Sequence, residues 1–363
     1  MVKGMGRSSF QILALLSFFL VLNAACPRPV PPAPQKESTQ KVKKTSKSKK
    51  KKKKHLKRTI TTVEKSESRY PCQKHRCEEA YRTFSVRHQA HQKKVGAQHV
   101  TTWLKKMKKK KAPPAQGLKG QELKEKIIEQ MNIGFLLSDI QKERQVRTHH
   151  KEAKQKIIEE VLEVIDPHVG RFDILLLSPK NQKTKRAILA LHGHGDHPNA
   201  MARKYMGRQL AEEGYAVAIP RIRAHDCYKD ESAENIVAKD LWAHGFSLMG
   251  LHVYEALVTQ HIIQNRKGFD IKTWGIIGHS GGSSLANLLP RLSDGFQAKV
   301  VDYYVDFNNR CGPERIHCET FGPLVPLAND INNEKTSTTP FLKVPYDYKK
   351  YKTKILKFFA KHL

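Results

Sequence analysis

A glycine-rich pentapeptide, Gly278-His279-Ser280-Gly281-Gly282, constrains the fold of this chain more than any other feature. The apolar run at 273–277 predicts a buried strand before it, and residues 283–289 predict a helix after it. A strand that turns sharply into a helix through G-x-S-x-G is the context of a nucleophile elbow, in which small residues let the turn expose the serine hydroxyl. We therefore interpret Ser280 as a candidate nucleophile, the alternative being a strand-to-helix turn without chemistry.

A second motif precedes the pentapeptide by about ninety residues. The apolar run at 187–191 predicts a buried strand, and it leads into His192-Gly193-His194-Gly195-Asp196-His197. An acyl-transfer hydrolase stabilises its oxyanion with one N–H from the residue after the nucleophile and one from the loop after an earlier strand. Gly281 is the candidate for the first donor, and His194 or Gly195 for the second. The alternative is a metal site, but glycines suit close backbone approach better than ligation, so we predict no metal and no cofactor.

These segments resemble the α/β-hydrolase family, specifically its acetyl-xylan-esterase-like and dienelactone-hydrolase-like branch. The resemblance extends over residues 158–345 and is carried by five segments in order: LALHGHGD at 189–196, YAVAIP at 215–220, HGFSLMGLHVYEAL from 244, WGIIGHSGGS at 274–283 and VDYYVDFNNRCGPERIHCE at 301–319. It implies a mostly parallel sheet with helices on both faces. It also implies hydrolysis of a carboxylic ester of a small molecule through an acyl-enzyme on Ser280, without identifying the ester.

In this fold an acid and then a histidine follow the nucleophile along the chain. Asp347, after the predicted strand at 340–344, is our first choice of acid, and Asp306 is the second. The usual histidine loop is not evident, because only a basic amphipathic segment ending near His362 follows Asp347. We therefore expect a shortened C-terminus compared with this family, and we look for the base elsewhere in the chain.

Two loop histidines are candidates for the base. His317 follows the predicted strand at 298–305, and His225 lies in the polar loop at 221–245; His279 is expected to point away from the nucleophile. Without a base a serine is a weak nucleophile. A catalytically impaired binding domain therefore stays open beside the serine ester hydrolase.

Charge divides the chain into two parts. Residues 27–120 hold 29 basic and 5 acidic residues, whereas residues 121–363 hold 35 and 29. We predict a Pro/Lys-rich low-complexity arm at 27–120, disordered because it has little apolar surface to bury, and an α/β-hydrolase-like domain at 121–363. The lysine clusters at 41–58 and 105–111 favour an anionic polymer or a membrane surface as a partner, and no specific nucleic acid. A plain solvated tether is the alternative.

The first 26 residues predict a signal peptide. Lys3 and Arg7 precede an apolar run of 13 residues at 10–22, and Cys26 follows two alanines. The pattern resembles a lipoprotein signal with lipid on Cys26; plain cleavage and an uncleaved anchor are the alternatives. We therefore expect an exported protein, either anchored in the cell envelope or secreted. The pairing of the other cysteines stays open: Cys72, Cys77, Cys227, Cys311 and Cys318.

Periodicity predicts the remaining elements of the domain. Helices are expected at 121–131, 141–165, 200–213, 245–265 and 348–363, and further strands at 171–177 and 215–220. Strands that alternate with helices indicate a parallel sheet covered on both faces.

Overall fold

A computed structural model of the chain describes residues 115–180, 183–225, 237–238, 241, 246–302, 322–333 and 337–363. The predicted signal peptide and all of the arm before residue 115 lie outside the described residues, as do Asp306, His317 and all six cysteines. No helix in the described part of the chain is long and apolar enough to cross a membrane.

One sheet of eight strands organises the described residues. The strands are β1 Gln145–Lys154, β2 Ile157–Asp166, β3 Gly170–Pro179, β4 Arg186–Leu191, β5 Ala216–Pro220, β6 Thr273–Gly278, β7 Phe296–Val301 and β8 Phe341–Lys343. The helices are α1 Gly120–Met131, α2 Gly134–Leu137, α3 Pro198–Lys204, α4 Gly207–Glu212, α5 Leu248–Gln264, α6 Gly281–Leu292, α7 Ala328–Ile331 and α8 Lys352–His362, with a 3₁₀ segment at Gly322–Leu327.

The strand order is β1-β2-β3-β5-β4-β6-β7-β8. Strands β4 to β8 pair in parallel, and β1, β2 and β3 join the sheet by antiparallel pairing. After β4 the chain adds β5 on one side and later β6 on the other. The carboxyl ends of β4 and β6 therefore flank a topological switch point, where α/β sheets bind their ligands. This order, with helices on both faces, confirms the predicted α/β-hydrolase fold.

Two apolar layers cover the faces of the sheet. Successive residues of β4 belong to different layers, because successive side chains of a strand point to opposite faces of the sheet. Leu189 packs in the layer built with α1, α5 and α6, whereas Ile188 packs in the layer built with α3, α4 and α8. In the second layer the ring of Phe359 packs on the β6 backbone at Gly275, which has no side chain. A Cβ on Gly275 would lie 2.7 Å from Phe359 Cε1. This packing holds β6, an inner strand between β4 and β7, in place beneath the turn that follows it.

The prediction of a helix at 141–165 was wrong. These residues form the antiparallel strands β1 and β2, which pair from Gln145↔Ile165 to Lys154↔Ile157. The apolar residues of β2 fall at spacings of one, three and two, which imitates a helix, but several are β-branched and suit a strand. Pairing of β2 with both β1 and β3 along its whole length decides the outcome, and no local periodicity reports such pairing.

Two element boundaries also differ from prediction. The helix expected at 200–213 is divided into α3 and α4 by Met206, whose φ of 76° is left-handed. The strand expected at 298–305 begins earlier, at Phe296, and ends at Val301. Asp302 therefore directly follows β7 instead of lying within it, on the same edge of the sheet as the turn after β6.

Candidate active site

The turn between β6 and α6 has the backbone of a nucleophile elbow. Ser280 has a φ of 50° and a ψ of −116°, a conformation that non-glycine residues adopt rarely and at a cost. A Cβ on Gly278 would lie 2.3 Å from the Gly282 oxygen, and one on Gly282 would lie 2.1 Å from the Leu191 oxygen. Any larger side chain would collide with backbone at both positions. The two glycines therefore allow the turn to close against β4.

The loop after β4 contacts this turn. A Cβ on Gly193 would lie 2.8 Å from the Cβ of Ser280, so the loop backbone passes directly beside the serine. The ring of His194 covers Gly281, because a Cβ there would lie 2.5 Å from His194 Nδ1. The fold thus brings the predicted nucleophile together with two of the predicted oxyanion-hole residues, His194 and Gly281.

Gly195, the other predicted oxyanion donor, lies in the same loop. Its φ of 75° reverses the chain, and its N–H donates to the His225 carbonyl at 2.7 Å. To bind an oxyanion, this N–H would first have to release that carbonyl. The Asp196 N–H donates to the Gly193 carbonyl at 3.2 Å and closes the turn. The roles of His194, Gly195 and Gly281 stay predictions.

Four histidine rings gather at this loop. His194 and His225 have ring centroids 3.9 Å apart, and His225 lies 5.0 Å from His252 and 5.8 Å from His192. His225 Nδ1 lies 3.3 Å from the His192 carbonyl oxygen, and His225 Cε1 would be 3.0 Å from a Cβ on Gly281. Within the described ranges no three or more His, Cys, Asp or Glu side chains are arranged to hold a metal ion.

Burial keeps His192 neutral. Its Nε2 accepts the Ile222 N–H at 3.0 Å and its Nδ1 lies 3.1 Å from the Gly193 carbonyl, to which it can donate. Desolvation lowers the pKa of His192 to about 3. Desolvation also lowers the pKa of His197 and raises the pKa of Tyr205 above its usual value. This edge of the sheet is therefore dry enough to penalise charge on its side chains.

A buried carboxylate, Asp302, contacts the elbow from beneath. Its Oδ1 accepts the Ser280 N–H at 2.9 Å and lies 2.7 Å from the Ser283 hydroxyl. Its Oδ2 makes a short hydrogen bond to His279 Nδ1. Tyr348 donates its hydroxyl to the Gly278 carbonyl at the end of β6, and burial raises the pKa of that phenol well above its ordinary value.

The structure places Asp347, the predicted acid, apart from this cluster. Asp347 is exposed, and its Oδ1 accepts the Lys350 N–H at 3.2 Å. Among the described carboxylates, Asp302 and Asp196 contact elbow residues, whereas Asp347 bonds the Lys350 N–H. His317, the predicted base, and Cys26, the predicted lipidation site, lie outside the described residues. The assignments of Asp347 and His317 therefore stay predictions.

Sequence reasoning missed Asp302 as a residue of this site, and it did not foresee the contacts of His279 with Asp302 and Asp196. The signal that could have found Asp302 is its position at the carboxyl end of a strand next to the elbow strand, because these ends meet at one edge. Placing the end of β7 at residue 305 hid it. The ring of His279 meets Asp302 and Asp196.

Comparisons with known proteins give distant structural likenesses. An acetyl xylan esterase from Paenibacillus sp. R4 is 11% identical to this chain, with a TM-score of 0.47. The match covers 73% of this chain and 99% of the esterase chain. Acetyl xylan esterase 1 from Thermoanaerobacterium sp. JW/SL YS485 is 13% identical, covers 71% and 98%, and has a TM-score of 0.42. No protein-family model and no curated protein matches the sequence. The fold assignment rests on the strand order and the elbow of this chain.

Proposed function

We propose that this protein is a serine hydrolase that cleaves short-acyl carboxylic esters through an acyl-enzyme on Ser280. One observation carries the proposal: Ser280 occupies a strained backbone conformation that packing of Gly278 and Gly282 against backbone maintains. Strain of this kind persists only where surrounding structure enforces it, and it clusters at functional sites. Because this turn lies at the end of a strand beside a switch point, it exposes the Ser280 hydroxyl where a substrate can reach it.

The chemistry requires a base, and His225 is the described candidate. Its Nδ1 faces the His192 carbonyl at 3.3 Å. A proton on Nδ1 leaves a lone pair on Nε2, the tautomer that a general base needs. The ring lies beside Gly281, the residue after the nucleophile. His317, which lies outside the described residues, stays the sequence-predicted base, and both are tested below.

In the proposed reaction Ser280 Oγ attacks the ester carbonyl carbon while its proton passes to the imidazole. The N–H of Gly281 donates to the oxyanion, as the residue after the nucleophile does in this mechanism. The C–O bond of the ester breaks, and the leaving alcohol takes the proton from the imidazole. Water then attacks the acyl-enzyme with the same base, which releases the carboxylic acid and restores Ser280.

The test is hydrolysis of p-nitrophenyl acetate and butyrate by the full chain, with labelling by a fluorophosphonate probe. We expect Ser280→Ala to lose at least about a thousandfold in kcat and all labelling, because a lost nucleophile cannot be replaced. Ser293→Ala is the matched control, since Ser293 lies past the far end of α6. Equal turnover by the parent and Ser280→Ala would refute the proposal.

The same assay assigns the base. His225→Ala and His317→Ala are compared at equal protein concentration, and general-base loss is expected to cost about a hundredfold or more in kcat. A loss confined to one variant identifies its histidine. A parent that is Ser280-dependent but indifferent to both substitutions would remove both histidines from the mechanism.

A second candidate function is a binding domain without catalysis. It is favoured by the described residues after β8, which place Tyr348, not a histidine, against the end of β6. This function predicts a folded protein that the fluorophosphonate probe does not label. Stoichiometric labelling at Ser280 would exclude it.

We also propose that the chain is exported, with lipid on Cys26. The proposal rests on the sequence at 1–26 alone. Mass spectrometry of protein recovered from cell envelopes tests it: the expected amino-terminal residue is a lipidated Cys26. An unprocessed Met1 would contradict export by this route.

The lysine clusters carry a separate proposal, in which the arm binds an anionic polymer or membrane surface by counterion release. Retention of the full chain on anionic vesicles should fall steeply with salt. A variant lacking residues 41–58 and 105–111 should lose most of that retention. Equal retention would contradict the proposal.

A further inference from the structure

The imidazole of His279 lies between two carboxylates that belong to two different loops. Its Nδ1 bonds Asp302 Oδ2, after β7, and its Nε2 lies 3.6 Å from Asp196 Oδ2, in the loop after β4. The ring is nearly buried, with 9% of its side chain exposed, and Asp302 is fully buried. His279 immediately precedes Ser280, so one side chain connects the elbow to both neighbouring loops.

An aromatic contact completes this connection. Tyr205 stacks on the His279 ring with centroids 3.8 Å apart and planes 19° from parallel. Burial raises the pKa of the Tyr205 phenol, and the nearby Asp196 carboxylate adds to this shift. Asp196, Tyr205, His279 and Asp302 thus form one contact group, which we call the elbow clasp.

The position of the clasp gives it a consequence for catalysis. The loop that contains Asp196 also contains Gly193 and His194, which lie beside Ser280 and Gly281. Oxyanion stabilisation depends on donors fixed before the reaction at about 2.7–3.1 Å from the future oxyanion, and a displacement of about 1 Å can cost about a hundredfold in rate. Whatever holds this loop against the elbow therefore sets the geometry of the transition state.

We propose that His279 is a positioning residue, which fixes the 192–197 loop relative to Ser280 by bridging Asp196 and Asp302. The expected effect on rate rests on the proposed ester hydrolysis. The expected effect on the position of the 192–197 loop does not require that the protein be active. The effect of His279 is transmitted through Asp196 to the loop and through Asp302 to the Ser280 N–H.

The kinetic test uses His279→Phe, Asp196→Asn and the double variant. Phenylalanine retains the ring stacked on Tyr205 and removes both polar contacts. We expect each single variant to lose about tenfold in the rate constant for fluorophosphonate labelling and in kcat, with KM changed by less than about twofold. If both act through one bridge, the double variant should lose no more than the worse single variant.

A matched control separates positioning from general loss of a buried histidine. His168 is also nearly buried, pairs with Asp139 at 2.6 Å and packs edge-on against Phe135. It lies in the turn between β2 and β3, and strands β5 and β4 separate β3 from β6 in the sheet. His168→Phe should therefore leave the labelling rate of Ser280 at the parental value. Losses that multiply in the double variant, or an equal loss in His168→Phe, would overturn the proposal.

Hydrogen exchange provides a readout that does not depend on activity. Deuterium uptake of peptides covering 192–197 should rise in His279→Phe and Asp196→Asn, and stay parental in His168→Phe. Unchanged uptake in both clasp variants would overturn the inference, even for a parent that the probe does not label; an unlabelled parent would refute only the proposed function. If His279→Phe does not fold, His279→Gln replaces it. Because glutamine retains one polar contact, we expect a smaller rise in deuterium uptake by the 192–197 peptides.

Discussion

Acidification should destabilise this fold through one imidazole, that of His192. The residue directly follows β4, is fully buried, and uses Nε2 to accept the Ile222 N–H at 3.0 Å. A proton on Nε2 would place this N–H against the Ile222 N–H, two donors facing each other where water does not reach. Burial is the main cause that lowers the pKa of His192 to about 3.

The sign and size of the effect follow from linkage. In the unfolded chain the pKa of this imidazole is about 6.5. Between that pH and about 3, the unfolded state therefore binds a proton that the folded state does not. The stabilisation is complete above the unfolded value and is lost as pH falls towards the folded value. Between pH 7 and pH 5 the loss is about 2 kcal/mol in the free energy of unfolding.

Urea unfolding of the full chain, followed by tryptophan fluorescence at both pH values, measures this loss. Other groups titrate too, so the comparison is with His192→Gln, whose amide oxygen can accept the Ile222 N–H without titrating. We expect the parent to lose about 2 kcal/mol more than the variant between pH 7 and pH 5.

A second pH interval serves as the control. Between pH 8 and pH 9 the imidazole is neutral in both states, so parent and variant should change in parallel. An equal loss in both proteins between pH 7 and pH 5 would show that His192 does not enter the folded state neutral and would refute the reasoning.

Three further substitutions, at two positions, test how the fold is held. Gly282→Ala puts a Cβ 2.1 Å from the Leu191 carbonyl oxygen, which cannot move without β4; we expect a loss of about 3 kcal/mol or more in unfolding free energy, and a stable variant would contradict the steric argument. Asp330 accepts three backbone N–H groups, of residues 116–118, at 2.9–3.1 Å. Asp330→Ala should cost about 3 kcal/mol and Asp330→Asn, which retains one acceptor oxygen, about 1 kcal/mol in the same urea assay. Equal costs would show that these bonds are not the cause.

The elbow was predictable because its constraint is local. A turn that closes within five residues needs glycine at fixed positions, and the flanking apolar runs show which elements it joins. The same argument placed the loop of Gly193 and His194 beside Ser280. The mostly parallel sheet then followed from alternation of strands and helices.

The parts that sequence did not predict depend on distant pairing. Residues 141–165 become strands because β2 pairs with both neighbours, and a helical spacing of apolar residues could not reveal this. Asp302 contacts the elbow because β7 ends at Val301, a point fixed by pairing with β6 and β8. Its role could be recognised only after that boundary was known.

The two outer strands bear on how copies of this protein meet in concentrated solution. An exposed sheet edge with unpaired N–H and C=O groups is a template for a strand of another molecule. Here β1 is irregular between Thr148 and His150 and rich in Lys, Arg, His and Glu, and β8 has three residues. Among the described strands, neither outer one offers a long, flat, apolar row. Such edges disfavour sheet growth between molecules, and a change that straightened β1 and removed its charges would invite aggregation.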